Sequence, residues 1–259
     1  MSPNILIVGA TRGLGASLAQ EYTQKGATVF GTARASTAPS TPSNVTWLTD
    51  IDVSKPDVGS TLVSSYKSHT TAPIDILIIS AGYFGKESFA SPSHSAQLTM
   101  YATSAIAPTL VVSSLAHAGL LAQRGGKVVL VSSESGSVGL RHASEGGGNY
   151  GHHGSKAALN MVGRLLSLDL AADGVAVAVV HPGFMRTDMT KGVGFDEFWD
   201  VGGAVTPDVA AKSLVEWVDT FDMSKTGEYW APRGPGDIGT AEPVLGPKDK
   251  LPTPLQLPW

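Results

Sequence analysis

Short apolar runs alternate along this chain with longer amphipathic stretches, a pattern that predicts strands connected by helices. The apolar runs are continuous, which is typical of parallel strands covered on both faces. The predicted strands, in order, are Asn4–Val8, Thr28–Ala33, Thr46–Thr49, Ile74–Ile79, Lys127–Val131 and Val175–Val180. The chain is therefore predicted to be an α/β protein, built on a parallel sheet with crossover helices.

Amphipathic stretches and turn residues predict the elements between and after these strands. Helices are expected at Gly13–Lys25 and from about His152 to Ala172, where apolar residues fall at helical spacing. Pro207–Thr220 is a third predicted helix, because proline suits a first helical turn. Glu228–Ala231 is predicted as an edge strand. The tail, residues 232–259, is rich in Pro and Gly and is expected to lack regular structure.

Length and composition favour one domain over residues 1–259, because a chain of 259 residues buries a substantial core and no linker interrupts it. Charged residues make up 15% of the chain and hydrophobic residues 42%, a balance that suits a sheet covered on both faces. The net charge of −4 and the sequence pI of about 5.9 argue against a broad electrostatic grip on nucleic acid or an anionic membrane.

The absence of cysteine excludes disulfides, thiolate metal sites and a cysteine nucleophile. The first residues, MSPNILIVGA, carry no basic leader and pass directly into a strand, so no signal peptide is predicted. We expect no apolar stretch near the ~20 residues that a membrane span requires. The expected location is the cytoplasm, with neither nucleic acid nor a membrane as a partner.

A glycine-rich turn, Gly9-Ala10-Thr11-Arg12-Gly13-Leu14-Gly15, follows the first strand and opens the first helix. Glycines there let the backbone approach a pyrophosphate, which then lies at the positive end of the helix dipole. The alternative is a purely structural turn, but the strand–turn–helix context favours a nucleotide site. The predicted nucleotide-binding residues of the turn are Gly9, Thr11, Arg12, Gly13, Leu14 and Gly15.

The residue after the second strand indicates which nucleotide binds. An NAD enzyme tends to place an acid there to bind the ribose hydroxyls. This chain has Arg34 instead, with Arg12 across the turn, and guanidinium groups match the geometry of a 2′-phosphate. NADP(H) is therefore favoured over NAD(H), the alternative being that both arginines are solvated surface residues.

Five further motifs follow the strands in order. They are Asp52-Val53, Ser80-Ala81-Gly82, Val131-Ser132-Ser133, Ser155-Lys156-Ala157-Ala158-Leu159-Asn160, and His181-Pro182-Gly183 with Thr187-Asp188. With these motifs the chain resembles the short-chain dehydrogenase/reductase family from Asn4 to about Ala231, most closely its carbonyl-reductase-like branch, which includes bacterial C-factor proteins. The resemblance implies a Rossmann-type doubly wound parallel sheet in a three-layer α/β/α arrangement. It also implies cofactor contacts from Asp52, Val53, Ser80, Ala81, Gly82, Lys156, Pro182, Gly183, Met185 and Thr187.

The resemblance further implies a catalytic set of Asn, Ser, Tyr and Lys, of which two members match. Ser133 fits the serine that orients the substrate carbonyl, and Lys156 fits the lysine that holds the nicotinamide ribose. His152 stands at the tyrosine position, one helical turn before Lys156. Ser104 stands where the asparagine is expected. Tyr150 is a second candidate for the tyrosine role, but on a helix it lies off the face of Lys156.

His152 has two interpretations that stay equally open. As a catalytic group, its imidazole is kept neutral by the nearby Lys156 cation and can donate an N–H to a developing oxyanion, or act as general acid or base. As a relic, it only fills the space of the tyrosine in a site that has lost or changed its reaction. His152 and His153 point in different directions, so no metal site is predicted.

Residues 188–206 are rich in glycine and aromatic rings, and the resemblance places this region over the nicotinamide as a lid. Glycines supply hinge freedom and aromatic rings can cover an apolar ligand, although rings that pack on the core are the alternative. The predicted substrate contacts are Phe184, Phe195, Phe198 and Trp199, beside Met185. They favour a hydrophobic substrate.

The leading interpretation is an NADPH-dependent reductase of a hydrophobic ketone, aldehyde or imine that works through Ser133, His152 and Lys156. One alternative is a non-redox cyclase, isomerase or dehydratase on the same fold. The other is a catalytically silent NADPH-binding module. Because the resemblance implies pairing through the long helices, a homodimer or homotetramer is expected.

Overall fold

The computed structural model describes residues 2–239 and 242–259. Within these residues, the strands are β1 (Asn4–Val8), β2 (Thr28–Thr32), β3 (Val45–Leu48), β4 (Ile76–Ile79), β5 (Lys127–Val131), β6 (Ala176–Val180), β7 (Glu228–Ala231) and β8 (Leu255–Gln256). They form one sheet in the order β3-β2-β1-β4-β5-β6-β7-β8, in which every pair is parallel except β7 with β8. The order runs outward in both directions from β1 and β4, so the predicted doubly wound Rossmann-type sheet is confirmed.

Helices cover both faces of this sheet. They are α1 (Gly13–Gln24), α2 (Val58–His69), α3 (His94–Tyr101), α4 (Ala107–His117), α5 (Tyr150–Asp169), α6 (Asp188–Gly192), α7 (Pro207–Thr220) and α8 (Glu242–Leu245), with a π-helical segment, Ala102–Ile106, between α3 and α4. On one face Leu6 belongs to an apolar cluster with Val111 and Leu159, and on the other Ile5 belongs to a cluster with Leu18. Neighbouring residues of one strand therefore pack into two different hydrophobic cores, one on each face of the sheet. The result is three layers: helices, sheet and helices.

Most of the predicted elements are confirmed with shifted ends. β2 ends one residue earlier than predicted, β3 is displaced by one residue, and β6 starts one residue later. β4 begins at Ile76, because Ile74 instead forms an isolated bridge with Leu121. The long helix α5 begins at Tyr150, two residues before the predicted start, and ends at Asp169, three residues before the predicted end. The helices α2, α3, α4, α6 and α8 have no counterpart among the predicted elements, and α8 lies in the tail that was expected to be irregular.

The expectation of an irregular C-terminal tail is wrong for part of it. Leu255–Gln256 form β8, so β7 is not an edge strand but lies between β6 and β8. Leu255 and Leu257 are buried beside Tyr229, and the Trp259 ring stacks on Tyr229 with 5.8 Å between centroids. Burial of these apolar side chains orders a segment whose proline and glycine content alone indicated a loop.

One segment passes a length and hydropathy test for a membrane span, contrary to the sequence-based expectation. It is the continuous helical run His94–His117, of 24 residues, with a mean hydropathy of 1.3 in its most apolar window. Half of that window is buried inside the protein, and a core helix passes the same test, so the finding is weak support for a membrane span.

Candidate active site

The glycine-rich turn between β1 and α1 lies against the loop that follows β4. Gly9 has a φ of 90°, which favours glycine, and a Cβ there would lie 2.7 Å from the Ala81 Cα atom. A Cβ on Gly15 would lie 2.0 Å from the Gly9 carbonyl oxygen and 3.0 Å from the Ser80 Oγ atom. Side chains at either position would push the turn apart. The glycines therefore allow the close packing that leaves the first amides of α1 open to an anion.

The two arginines of the predicted adenosine site are exposed, Arg12 just before α1 and Arg34 just after β2. Arg34 lies close enough to Asp52 to act on it electrostatically. Hydrogen bonds from the Ser54 N–H and hydroxyl hold the pKa of the Asp52 carboxyl below its usual value, and the charge of Arg34 adds to this effect. Val53 is half-buried against the core. These residues lie at the carboxyl edge of the sheet, where nucleotides bind in doubly wound folds.

The loop after β4 connects the glycine turn to the catalytic candidates. The Ala81 N–H donates to the Val8 carbonyl at 2.9 Å, which fixes the start of the loop on β1. A Cβ on Gly82 would lie 3.8 Å from the Ser104 Oγ atom and 3.9 Å from the Lys156 Nζ atom. Three sequence motifs that are far apart along the chain therefore meet at Gly82.

Lys156 and Ser104 supply the polar groups beside this loop. The Lys156 Nζ donates to the Val131 carbonyl at 2.9 Å, and burial of the ammonium lowers the pKa of Lys156 to about 8. Ser104 is buried in the π-helical segment, and its Oγ has no hydrogen-bond partner among the described residues. Since π-helical turns are frequent at functional sites, the segment marks this position independently of the sequence motif. An ammonium and an unpaired hydroxyl thus face the same glycine.

His152 lies in the first turn of α5, and its imidazole stacks on the Phe84 ring, with 4.0 Å between centroids and 20° between planes. Its Nδ1 is buried and has no hydrogen-bond partner in the described part of the chain. Burial lowers the pKa of His152 to about 3, and the charges of Lys156 and His153 add to the effect. The imidazole is therefore neutral throughout the physiological range, so that it carries one N–H donor and one acceptor nitrogen.

Ser133 is the second residue after β5 and caps the short 3₁₀ turn Glu134–Gly136. Its Oγ accepts the Ser135 N–H at 3.3 Å, and its carbonyl accepts the Tyr229 hydroxyl of β7. The second hydrogen bond connects Ser133, the candidate catalytic serine, to β7. Tyr150 is the first residue of α5, so it is helical, and its side chain is exposed. Being helical, it lies off the face that carries His152 and Lys156.

The loop after β6 also lies beside the glycine turn. Pro182 and Gly183 are buried, and Met185 forms an isolated parallel bridge with Val205 at the end of the predicted lid. Thr187 caps α6, its Oγ1 accepting the Thr190 N–H at 3.2 Å. A Cβ on Gly13 would lie 3.7 Å from the Thr187 Cγ2 atom, so Thr187 and the phosphate turn are neighbours.

The aromatic residues of the predicted lid, residues 188–206, divide into two groups. The Phe195 ring meets the edge of Phe84 at 5.7 Å, and the Phe198 ring meets Phe195 at 6.4 Å, so these three rings form a chain that begins at the His152 imidazole. Trp199 instead donates its Nε1–H to Thr190 at 3.2 Å. The Phe184 ring lies outside the predicted lid but joins the second group, because a Cβ on Gly202 would lie 3.1 Å from its Cε1 atom. Trp199 therefore packs within the predicted lid, and Phe184 packs against it from the preceding loop.

Sequence reasoning missed two residues at this site. Phe84 stacks on His152, and Glu87 binds the start of α5. The available signal for Phe84 was its position two residues after the motif Ser80-Ala81-Gly82, in the loop that the motif begins. No sequence pattern links Glu87 to Gly151, because the contact joins two distant loops.

The pKa values predict the pH dependence of the free protein. Lys156 is charged below its pKa of about 8 and loses that charge as the pH rises through it. We therefore expect kcat/KM for NADPH to fall above about pH 8. We expect no inflection near the ordinary histidine pKa of about 6.5, since His152 stays neutral there. A pH profile of kcat/KM checks both statements. A rise or fall centred near the histidine value would show instead that the imidazole is charged in the working site.

Comparison with known proteins was made on the sequence and on the fold. The family described as short chain dehydrogenase matches residues 3–197. The chain is 27% identical over 225 residues to 1-hydroxy-2-glutathionyl-2-methyl-3-butene dehydrogenase of Rhodococcus sp. (strain AD45), an alignment that covers 87% of this chain and 94% of the relative.

Two solved structures have the same fold. The carbonyl reductase Sniffer of D. melanogaster is 21% identical, with a TM-score of 0.77 and full coverage (100%) of both chains. A short-chain dehydrogenase/reductase from Burkholderia multivorans, solved with bound NADP, is 27% identical, with a TM-score of 0.70 and coverage of 89% of this chain and 96% of that one.

Proposed function

Because the chain belongs to the short-chain dehydrogenase family, we propose that it is an NADPH-dependent reductase of a hydrophobic ketone, aldehyde or imine. The observation that carries the proposal is the meeting of the Lys156 ammonium, the unpaired Ser104 hydroxyl and the loop after β4 at Gly82. His152 lies one turn away on the same helical face as Lys156. A buried lysine and a neutral imidazole beside a nucleotide-type turn favour carbonyl chemistry.

NADP(H) is the proposed cofactor, and the chain offers suitable groups at each end of the site. The turn from Gly9 to Gly15 would hold the pyrophosphate, and a side chain at either glycine would clash with backbone or with Ser80. Arg12 and Arg34 would bind the 2′-phosphate, in keeping with the NADP that the Burkholderia multivorans relative holds. Lys156 would bind the nicotinamide ribose.

The proposed chemistry assigns one task each to Ser133, His152 and Lys156. NADPH, when bound, supplies the hydride. The Ser133 hydroxyl and one ring N–H of His152 donate hydrogen bonds to the carbonyl oxygen, where negative charge develops. The alkoxide would then take its proton from a solvent water molecule, which is released as hydroxide, while the imidazole keeps its N–H and remains neutral throughout. The Lys156 ammonium adds a positive charge nearby while the pH is below its pKa of about 8.

The proposed substrate is hydrophobic because aromatic rings lead from the imidazole to the surface. Phe84 covers one face of His152, Phe195 meets Phe84, and Phe198 is 52% exposed at the outer end. An apolar ligand that displaces water from these rings gains free energy roughly in proportion to the area it buries.

Two measurements made together test the proposed function: direct NADPH binding, and the loss of NADPH absorbance on mixing with a panel of hydrophobic carbonyl compounds. Oxidation of NADPH that depends on the carbonyl supports a reductase. Tight NADPH binding with no oxidation by any compound contradicts it and favours a binding module. Product formed with no change in NADPH favours a non-redox enzyme on the same fold.

We also propose that the protein is cytoplasmic and that two copies pair through α5, as the family resemblance implies. Three apolar side chains on one face of that helix, Met161, Leu165 and Leu168, are 61%, 52% and 58% exposed. They recur at helical spacing, so they form a continuous stripe. A second copy that places the same stripe against this one would bury both, which is the usual arrangement of a two-fold dimer.

The double substitution Met161→Glu with Leu165→Glu is expected to dissociate the assembly, because four buried carboxylates would then meet across the two-fold axis. The wild type should have a mass above that of one 26.8 kDa chain in solution, and the variant the mass of one chain, by light scattering. Val201→Glu is the matched control, since Val201 is 86% exposed but lies outside α5. Equal masses for wild type and variant would exclude this interface.

A further inference from the structure

We infer that Glu87 is a positioning residue for His152: its carboxylate holds the start of α5 against α3 and so sets where the imidazole meets the substrate carbonyl. The inference deepens the proposed reductase function and rests on it. Glu87 lies in the loop after β4, far in sequence from α5, and is only 6% exposed. Nothing in its position along the chain marks it as part of the site.

The Glu87 carboxylate bridges the amino ends of two helices. One oxygen accepts the Gly151 N–H in the first turn of α5. The other accepts the Ser93 N–H at 3.1 Å and the Gln97 Nε2 at 2.9 Å, both from α3 and its cap. Both helix dipoles point their positive ends at the carboxylate, which favours its ionised form.

Ionisation of Glu87 follows from these contacts. Burial alone would raise the pKa of the carboxyl, but the hydrogen bonds from Gln97, Gly151 and Ser93 outweigh it and hold the pKa below its usual value. Every one of these groups is a donor. A glutamine at this position could accept with one atom only, so it would lose part of the set while keeping nearly the same shape.

Local features of the chain leave α5 dependent on this distant cap. Asn149, which precedes the helix, has a left-handed φ of 49°, and its side chain makes no capping hydrogen bond to the described residues. Its N–H instead donates to the Glu87 carbonyl at 3.1 Å. Glu87 therefore binds the start of α5 through both its backbone and its side chain, and it replaces the usual local cap.

Close packing then fixes the position of His152. A Cβ on Gly151 would lie 2.4 Å from the Met100 Cε atom and 2.9 Å from the Gln97 Cγ atom, so the helix start touches α3 directly. His152 is the next residue, and the ring that stacks on it, Phe84, belongs to the same loop as Glu87. One carboxylate thus ties the helix that carries the imidazole to the loop that covers it.

Lys156 is held separately, which makes the effect of Glu87 specific. Lys156 lies one turn further along α5 than His152, and its Nζ donates a hydrogen bond to the Val131 carbonyl of β5. Loss of the Glu87 carboxylate should therefore displace His152 and leave the cofactor contacts of Lys156 in place. Displacement of a catalytic group by about 1 Å typically costs on the order of 100-fold in rate.

The test is a double-mutant cycle of Glu87→Gln with His152→Ala. We expect Glu87→Gln to lower kcat about 10- to 100-fold with the NADPH Kd unchanged. If Glu87 acts through the imidazole, the same substitution should change the residual kcat of His152→Ala by less than about twofold. An equal loss in both backgrounds, or a wild-type kcat in Glu87→Gln, would overturn the inference. Glu216→Gln, an exposed glutamate on α7, is the matched control.

A second variant covers the case in which Glu87→Gln does not fold. Gln97→Leu leaves the carboxylate in place and removes one of its donors, at 2.9 Å. It should lower kcat by about threefold, and only in the presence of His152, in line with the loss of one modest hydrogen bond. A loss of the same size in the His152→Ala background would count against positioning.

The ring signals of His152 separate failure of this inference from failure of the proposed function. If no carbonyl oxidises NADPH in the wild type, the reductase proposal fails. In that case the ¹⁵N and ¹H NMR chemical shifts of the His152 imidazole still test the role of Glu87. They should change in Glu87→Gln and stay unchanged in Glu216→Gln. Unshifted signals in a folded Glu87→Gln protein would show that the carboxylate does not position the ring.

Discussion

Replacement of His152 with alanine is expected to reduce kcat by about 100- to 1,000-fold, the usual cost of removing one donor to a developing oxyanion. The NADPH Kd should change little, because the turn from Gly9 to Gly15 and the two arginines lie elsewhere on the sheet edge. Steady-state kinetics with a hydrophobic ketone and direct NADPH titration give the two values. A large loss in kcat with constant Kd places the imidazole in the chemical step.

The control and the contrary outcome are both available in this chain. His94→Ala removes an exposed histidine at the start of α3 and should leave kcat and Kd as in the wild type. Unchanged turnover in His152→Ala would mean that the imidazole only fills the space of the tyrosine. Attention would then move to Tyr150, and Tyr150→Phe would be the next variant, although its exposed position at the start of α5 makes it the poorer candidate.

Reversal of charge at Arg34 should separate the two nicotinamide cofactors. In Arg34→Glu we expect the Kd for NADPH to rise by at least about 100-fold, since two charge-assisted hydrogen bonds contribute about 1.5–3 kcal/mol each. NADH lacks the 2′-phosphate, so its Kd should change little. Fluorescence titration with both cofactors measures the ratio.

Arg124→Glu is the matched control. It makes the same change in the loop before β5, at the amino ends of the strands, and should change the Kd of neither cofactor. An equal loss of NADPH and NADH affinity in Arg34→Glu would contradict the phosphate assignment. It would show instead that Arg34 supports the adenosine site in general, for example through its neighbour Asp52.

The sequence predicted those parts of the structure that local patterns determine. Continuous apolar runs located β1 to β6 within a residue or two, and the glycine spacing located the turn before α1. Lys156 and Ser104 were found from motif positions, and the structure brings both to Gly82.

The contacts that complete the site are non-local, and the sequence holds no pattern for them. Phe84 reaches His152 because the loop after β4 and the start of α5 meet at the same sheet edge. The Glu87 carboxylate binds Gly151 across 64 residues of chain, so no spacing rule detects it. The regular structure in the tail also depends on non-local contacts, because Leu255 and Leu257 are buried against residues of β7 and not against their neighbours in sequence. Burial and register between distant segments decide such features.

The short strand β8 has a consequence for the behaviour of the protein at high concentration. A sheet whose last strand is long and flat offers a row of free amides and carbonyls to which other chains can add. Here that last strand is Leu255–Gln256, and prolines stand before and after it, at Pro254 and Pro258. Proline has no N–H to donate, so this border of the sheet gives another chain little to pair with. We therefore expect β8, although it adds one strand to the sheet, to prevent strands of other chains from pairing with this edge and so to limit aggregation there.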